Sequence, residues 1–379
     1  MSYTVLARRY RSQGFDEVIG QEAIARTLKN AIDSGRVAHA YLFCGTRGVG
    51  KTSMARVFAK ALNGGTPDVD AQIMAGKDTD VIEIDGASNN SVDDARKLIE
   101  NAAYRPLRGK YKVFIIDEVH MLSTAAFNAL LKTMEEPPEY VKFILCTTDP
   151  QKVLPTIQSR CQRFDFRNIP TPTIAEHLKS VVKQEKGFTA DADLLFQVAK
   201  LGAGSMRDAL SLLDRVIASG EKKLTSKLLE ELLGLPPNDL VAALIDALAA
   251  GDAKIALEKA DELLGRGISA EQLLETLVEK LRDLMILAAC GPTTHLVELA
   301  EATRDQEIAR AAKFDAAGLV HMIALCESVL RSTKNSSNPR ALLDAVLVRL
   351  ALTEKLADVT AIITGRAGAL AGSAPAKKT

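Results

Sequence analysis

Long apolar runs are missing from this 379-residue chain. Hydrophobic residues make up 47% of it, yet no run approaches the roughly 18 residues of a membrane-spanning helix, so a soluble protein is expected. The opening MSYTVLARRYRSQGF lacks an apolar h-region, which argues against a secretory signal. The five cysteines (Cys44, Cys146, Cys161, Cys290, Cys326) are scattered and form no C-x-x-C pair. An odd count so scattered argues for the reduced thiols of a cytoplasmic-looking chain, not for a disulfide frame or zinc site. Charge of either sign is not in excess, since Lys plus Arg and Asp plus Glu both number 48. Any contact with nucleic acid must then come from a local stripe, not from a global field. The chain is too long for one ordinary core, and two or three domains are expected.

What is present begins with GTRGVGKT, Gly45 to Thr52, directly after the apolar run Ala40-Tyr41-Leu42-Phe43-Cys44. It fits G-x-x-x-x-G-K-[ST] in full. The run before it reads as a buried strand. The stretch Lys51–Leu62 reads as a helix, with Met54, Val57, Phe58 and Leu62 at three- and four-residue spacing. Gly45, Gly48 and Gly50 let the backbone curl so that consecutive N–H groups and the positive end of the helix hold phosphate oxygens. Gly45, Gly48, Val49, Gly50, Lys51, Thr52 and Ser53 are the nucleotide-holding candidates. Lys51 would reach the β- and γ-phosphates, and the Thr52 hydroxyl would take a position on Mg²⁺.

A second element points to hydrolysis. Lys112-Val113-Phe114-Ile115-Ile116-Asp117-Glu118 is a buried-strand pattern closing on two carboxylates. Ligands bind at the carboxyl ends of parallel strands, so Asp117 is expected beside the phosphate loop, holding the Mg²⁺ hydration shell. Glu118 is placed to polarise a water in line with the γ-phosphate. The chemistry is that of an ATPase or GTPase.

Strand candidates Ala40–Cys44, Asp80–Ile84, Lys112–Ile116 and Val141–Thr147 alternate with helical patterns over Lys51–Leu62, Val92–Ala103 and Ala125–Glu135. That alternation predicts an α/β unit with a parallel sheet covered on both faces. From about Thr171 strand signals vanish. Helical patterns follow over Ile174–Lys186, Ala192–Leu201 and Ser205–Ile217. After Gly234-Leu235-Pro236-Pro237 the chain stays helical to about Leu356, with Leu273, Leu277, Leu281 and Leu284 spaced as bundle core. Expected domains are 1–169, 170–234 and 235–360, with a disordered tail over 361–379.

The ordered set GTRGVGKT, FIIDEVHMLSTAAFNALLKTMEEPPEYVKFILCTTDPQKVLPTIQSRCQRF and GSMRDALSLLD closely resembles the gamma/tau subunits of bacterial DNA polymerase III clamp loaders, which are AAA+ ATPases. The opening LARRYRSQGFDEVIGQEAIARTLKNAI is similar too, with Tyr10 and Ser12 where Trp and Pro are more usual. The similarity covers about residues 3 to 355 and weakens beyond Pro237. It implies a RecA-like AAA+ parallel-sheet domain, a small helical lid and an all-helical collar. Carried over by position, Lys51 and Thr52 match the phosphate-loop lysine and Mg²⁺ ligand. Asp117 and Glu118 match the Mg²⁺-holding and water-activating carboxylates. Thr148 matches the polar sensor between γ-phosphate and water. Arg160, in Ser159-Arg160-Cys161, matches the arginine finger, which in this family reaches a neighbouring subunit's nucleotide; such a group can supply roughly 10³–10⁵ in rate. Arg207 matches the second sensor on the lid, and Val18 and Ile19 resemble the segment that cradles adenine. Arg96 and Lys132 occupy positions that resemble the family's DNA-tracking ones.

Two departures stand out. Relatives usually carry a four-cysteine zinc module after the position of Leu62-Asn63. This chain reads Gly64-Gly65-Thr66-Pro67-Asp68-Val69-Asp70-Ala71-Gln72-Ile73 there, so no zinc is expected beyond the ATP and Mg²⁺ of the active site. A tau-type chain also continues for hundreds of residues, whereas this one ends at Thr379, as expected of a short gamma-like form, a phage or reduced version, or a truncated piece. In the loop Ala87-Ser88-Asn89-Asn90-Ser91, Asn and Ser replace the basic residues of some relatives. The resemblance implies a pentamer with delta and delta-prime subunits and other copies of this chain. The pentamer would load a sliding clamp on primer–template DNA without a membrane partner, in the cytoplasm at the replisome. DNA contacts of this kind favour junction shape over base sequence. Two other readings are a Holliday-junction branch-migration motor and a delta-prime-like scaffold. The S-R-C motif followed by a helical collar argues against the first, and the intact phosphate loop against the second.

Overall fold

The computed structural model describes residues 4–299, 301–334 and 336–352. The chain forms two compact units, Met1–Leu224 and Thr225–Thr379. The first is built on five parallel strands: β1 (Ala40–Cys44), β2 (Val81–Asp85), β3 (Lys112–Asp117), β4 (Val141–Thr147) and β5 (Gln162–Asp165). Their order is β2-β3-β4-β1-β5. The apolar runs β1, β3 and β4 are neighbours at the centre, with β4 between the other two. Every residue of β1 and β4 is buried.

A pleated strand sends successive side chains to opposite faces, and here both faces are dry. Leu42, Phe114, Phe143 and Leu145 pack on one side with Leu98, Phe127 and Leu130 from the helices Val92–Ala102 and Thr124–Glu135. Tyr41, Phe43, Val113, Ile115 and Ile144 pack on the other with Leu28, Met54 and Phe58 from Glu22–Asp33 and Lys51–Asn63. Each such side chain is worth about 1.5–3 kcal/mol on burial, which is why these strands read as unbroken apolar runs and not as alternating ones. The expected α/β architecture is therefore present.

The helices Thr171–Gln184, Ala192–Leu201 and Met206–Ile217 follow the sheet. They bury Ile174, Leu178 and Val181, then Leu194 and Val198, then Leu210 and Leu213. A two-residue parallel bridge, β6 (Thr189–Ala190) with β7 (Lys223–Leu224), closes this group. The second unit is helical among its described residues: Ser226–Leu233, Asn238–Ala249, Ala253–Gly265, Ala270–Cys290, Glu301–Ala311, Ala316–Thr333 and Pro339–Ala351. Leu273, Leu277, Leu281 and Leu284 are at most 1% exposed in its core, as their spacing predicts. The tail expected at 361–379 and the last stretch of the collar lie outside the described residues.

Several elements depart from the sequence reading, among them the two-residue strands β6 and β7, which lie beyond the point where strand signals vanish, and the helix Ser226–Leu233. Helix Glu22–Asp33 and strand β5 were not anticipated, β5 because it is short, polar and on the sheet edge. The segment that stands where relatives have a zinc module is itself a helix, Pro67–Ala75. The Thr66 side chain caps it by accepting the Val69 N–H at 3.5 Å, Pro67 occupies its first turn, and Gly76 ends it at φ 68°. Among the described residues no single helix is long and apolar enough to cross a membrane.

Candidate functional site

The strand order assembles the site. Because β4 lies between β1 and β3, the segments leaving the carboxyl ends of all three strands converge. They are Gly45–Lys51 after β1, Glu118 after β3 and Thr148 after β4. Gly45 N donates to Thr147 O at 3.2 Å, tying the loop to β4.

Within the loop, the Lys51 ammonium donates to the carbonyls of Gly45 (2.7 Å) and Thr46 (2.8 Å). Burial pushes its pKa below the usual lysine value, opposed first by Glu118 and then by Cys146 and Asp117. An ammonium resting on backbone carbonyls gains from exchanging them for phosphate oxygens. The Thr52 hydroxyl donates to Asp117 Oδ2 at 2.7 Å, which places two hard oxygen ligands side by side at the helix N-terminus. This donor set fits Mg²⁺, an ion held by one or two protein oxygens together with phosphates.

Glu118 has a left-handed backbone, φ 46°, unusual for a side chain of its size. Its Oε2 accepts the Thr148 hydroxyl at 3.0 Å and the Thr148 amide at 3.3 Å. The expected water-activating group and the expected polar sensor therefore touch each other directly.

The lid closes one wall. Gly48 has φ +78°, and a Cβ there would sit 1.9 Å from Ser205 Oγ and 3.2 Å from Arg207 Cβ. Only glycine allows the loop and the lid helix Met206–Ile217 this approach. Arg207 N donates to Gly48 O at 3.4 Å. One cavity is lined by Val18, Ile19, Gly48, Val49, Gly50, Lys51, Thr52, Ser53, Asp117, Glu118 and Arg207, so these predicted residues share one site. Gly45 and Thr148 join it through the hydrogen bonds above.

Arg160 does not line the cavity. Its guanidinium donates to Glu135 Oε1 at 2.7 Å and Thr156 O at 2.5 Å on the protein surface. Arg96 is exposed on the helix Val92–Ala102 and pairs with Asp93 at 3.0 Å, and Lys132 is exposed on Thr124–Glu135. The structure thus brings neither DNA candidate to the nucleotide cavity.

Sequence reasoning passed over other members of the wall. Ala7, Tyr10, Arg11 and Ser12 of the N-terminal segment line it, as do His177, Met206 and Leu210 of the lid. The Tyr10 hydroxyl donates to Glu185 Oε1 at 2.6 Å, and Arg9 pairs with the same carboxylate. Burial pushes the Arg11 pKa below the usual arginine value, helped by Arg56 and Arg207. No local motif marks these residues; the family likeness of the opening was their only signal.

A five-stranded parallel sheet in this order, a glycine loop with lysine and threonine, paired carboxylates on the next-but-one strand and a three-helix lid define an AAA+ nucleotide-binding protein. Comparison with known proteins narrows this. The family described as "DNA polymerase III, delta subunit" matches residues 20–170. The clamp loader ATPase lid domain matches 173–222, and domain III of DNA polymerase III subunits gamma and tau matches 224–364. The chain is 42% identical over 323 residues to DNA polymerase III subunit tau of Escherichia coli K12, covering 82% of this chain and 50% of that protein. It is 41% identical over 293 residues to the gamma subunit of Buchnera aphidicola, covering 75% and 80%. It is 38% identical over 361 residues to gamma/tau of Mycobacterium bovis, covering 92% and 62%. The chain belongs to the gamma/tau family of DNA polymerase III subunits, and it spans about half the length of the Escherichia coli relative.

Proposed function

We propose that this chain is the ATPase motor subunit of a DNA polymerase III clamp loader. It would act in a pentamer with delta, delta-prime and further copies of itself, loading a sliding clamp onto primer–template DNA as part of the polymerase holoenzyme in the cytoplasm. The observation that carries the reading is the convergence of Lys51, the Thr52–Asp117 pair and the Glu118–Thr148 pair on one cavity walled by the lid. A scaffold subunit would not need all three.

Each group then has a task. Lys51 leaves the carbonyls of Gly45 and Thr46 for the β- and γ-phosphates. Thr52 and Asp117 would hold Mg²⁺, which would supply charge neutralisation of the phosphates. Glu118 turns from Thr148 to orient a water whose oxygen bonds to the γ-phosphorus as the bond to the β–γ bridging oxygen breaks. Thr148, released, steadies that water. Arg207 brings the lid onto the γ-phosphate, so lid position reports which nucleotide is bound. Val18 and Ile19 take the adenine. Arg160, outside its own site, is available to a neighbouring subunit's nucleotide, and hydrolysis would then require assembly. Arg96 and Lys132 would follow the DNA backbone.

The test is nucleotide binding and turnover, with and without primed DNA and clamp. Lys51→Ala should abolish binding, while Glu118→Gln should keep ATP bound and stop turnover. Normal turnover by Glu118→Gln would move the water-activating role elsewhere. DNA-independent turnover in the wild-type complex would argue against clamp loading.

A further inference from the structure

The N-terminal segment and the lid border a second cavity beside the first, of about 360 Å³, the volume of roughly a dozen waters. Ala7, Arg11 and Arg207 line both cavities, whereas Arg8, Arg56 and Ser211 line the second and not the first. Arg8 comes from the short helix Leu6–Arg9, Arg56 from Lys51–Asn63, and Arg207 and Ser211 from consecutive turns of Met206–Ile217. Segments far apart in the chain thus bring four guanidiniums to one place.

Their charge is not balanced from within. Glu83 is taken by Arg56, whose Nε and Nη2 donate to its two oxygens at 2.6 and 2.7 Å while Nη1 donates to Met74 O at 2.7 Å. Among the described residues, no hydrogen bond or ion pair engages the guanidiniums of Arg8, Arg11 or Arg207. Burial disfavours the charge of Arg11, and Arg56, Arg207 and Arg8 press on it with like charge, opposed by Glu83. A multiply charged anion entering between such groups removes their repulsion. Guanidinium forks match phosphate oxygens two at a time, a fit that chloride cannot offer.

We propose that this cavity is a second oxyanion site, separate from the phosphate loop, that takes inorganic phosphate or pyrophosphate beside the bound nucleotide. Two sources share that chemistry, the phosphate cleaved from ATP next door and free phosphate from solvent. The first rests on the ATPase reading above: because Arg11 and Arg207 line both cavities, a cleaved phosphate would reach Arg8 without leaving an arginine.

The experiment titrates pyrophosphate into the full chain by calorimetry at constant ionic strength, in a Lys51→Ala background that disables the phosphate loop. Arg8 and Ser211 are exposed and outside the nucleotide cavity, so replacing them leaves fold and loop intact. Binding should persist in Lys51→Ala. Adding Arg8→Ala should weaken it roughly tenfold, the loss of one charged contact at a partly open site. Ser211→Asp, which sets a carboxylate among the arginines, should weaken it at least as much, and Arg8→Lys less. No binding in Lys51→Ala overturns the proposal, as does binding that neither Arg8→Ala nor Ser211→Asp weakens. A second arm separates the sources. If cleaved phosphate visits the site, added phosphate should inhibit turnover of the assembled complex without competing with ATP, and Arg8→Ala should relieve that inhibition at unchanged KM. Pyrophosphate binding with no such inhibition supports the site and assigns its occupant to solvent. The titration needs no turnover, so its failure and the failure of the ATPase reading are distinct.

Discussion

Gly48→Ala tests whether the lid seats on the phosphate loop. The left-handed backbone at φ +78° costs a non-glycine residue about 1 kcal/mol. The added Cβ would also lie 1.9 Å from Ser205 Oγ, which cannot be tolerated. Ser205 is buried and caps the lid helix by accepting Asp208 N at 3.2 Å, so turning its hydroxyl away forfeits the cap, about 1 kcal/mol more. Ser205 Cβ and Arg207 Cβ, at 3.0 and 3.2 Å from the new atom, would have to shift as well. The sum is about 2 kcal/mol, or roughly a thirtyfold loss of nucleotide affinity where binding needs the seated lid. Titration with a fluorescent ATP analogue reads this directly. Ser205→Gly removes the obstructing hydroxyl at a cost of a few tenths of a kcal/mol as a cap. In that background Gly48→Ala should cost only about 1 kcal/mol, a coupling of about 1 kcal/mol between the two sites. Strictly additive effects would refute the reasoning, because they would mean that loop and lid do not meet at Ser205.

Three further outcomes are expected. Arg160→Ala should bind ATP yet lose DNA-stimulated hydrolysis, and mixing it with Lys51→Ala subunits should restore activity in solution assays; a mixture no more active than its parts would place Arg160 in its own site or in none. Elemental analysis should find no stoichiometric zinc and chelation should leave the melting temperature alone, since Gly64–Gly76 contains neither Cys nor His; close to one zinc per chain would overturn this. Asp80 is buried; burial raises its pKa, but the backbone N–H groups of Gly109, Leu107 and Arg108, with Lys112, outweigh that and hold it below the usual aspartate value. A lowered folded-state pKa contributes stability above the unfolded value, about 4, that is lost as pH falls through the folded one. Asp80→Asn should therefore cost about 2–3 kcal/mol near neutrality, and its deficit in thermal melts should shrink below about pH 4; a deficit independent of pH would show that the charge is not what matters.

Some of this was legible because the chemistry is local in sequence. The loop Gly45–Thr52 needs its glycines, lysine and threonine at fixed offsets along one backbone, and Asp117–Glu118 must close an apolar strand. The unbroken runs of β1, β3 and β4 announced a sheet covered on both sides, and the leucine spacing of Ala270–Cys290 announced a bundle. Strand β5 was illegible for the converse reason: an edge strand reading Gln-Arg-Phe-Asp sends only Phe164 to the core, too little to write a pattern. The helix Pro67–Ala75 had readable caps in Thr66, Pro67 and Gly76, but it buries only Ile73 and Met74, too thin a stripe to show as periodicity.

The chain's sequence by itself therefore determined the fold class and the family, and it marked the glycine loop and the strand-ending carboxylates as candidates, because each depends on residues close together in the chain. Tertiary structure alone decided that β4 is inserted between β1 and β3, which sets Thr148 against Glu118. It also decided that Ser205 sits over Gly48 and that Arg11 and Tyr10 join the nucleotide wall. These contacts join elements far apart in the chain. Packing of side chains selects them, and no spacing along a sequence encodes the result.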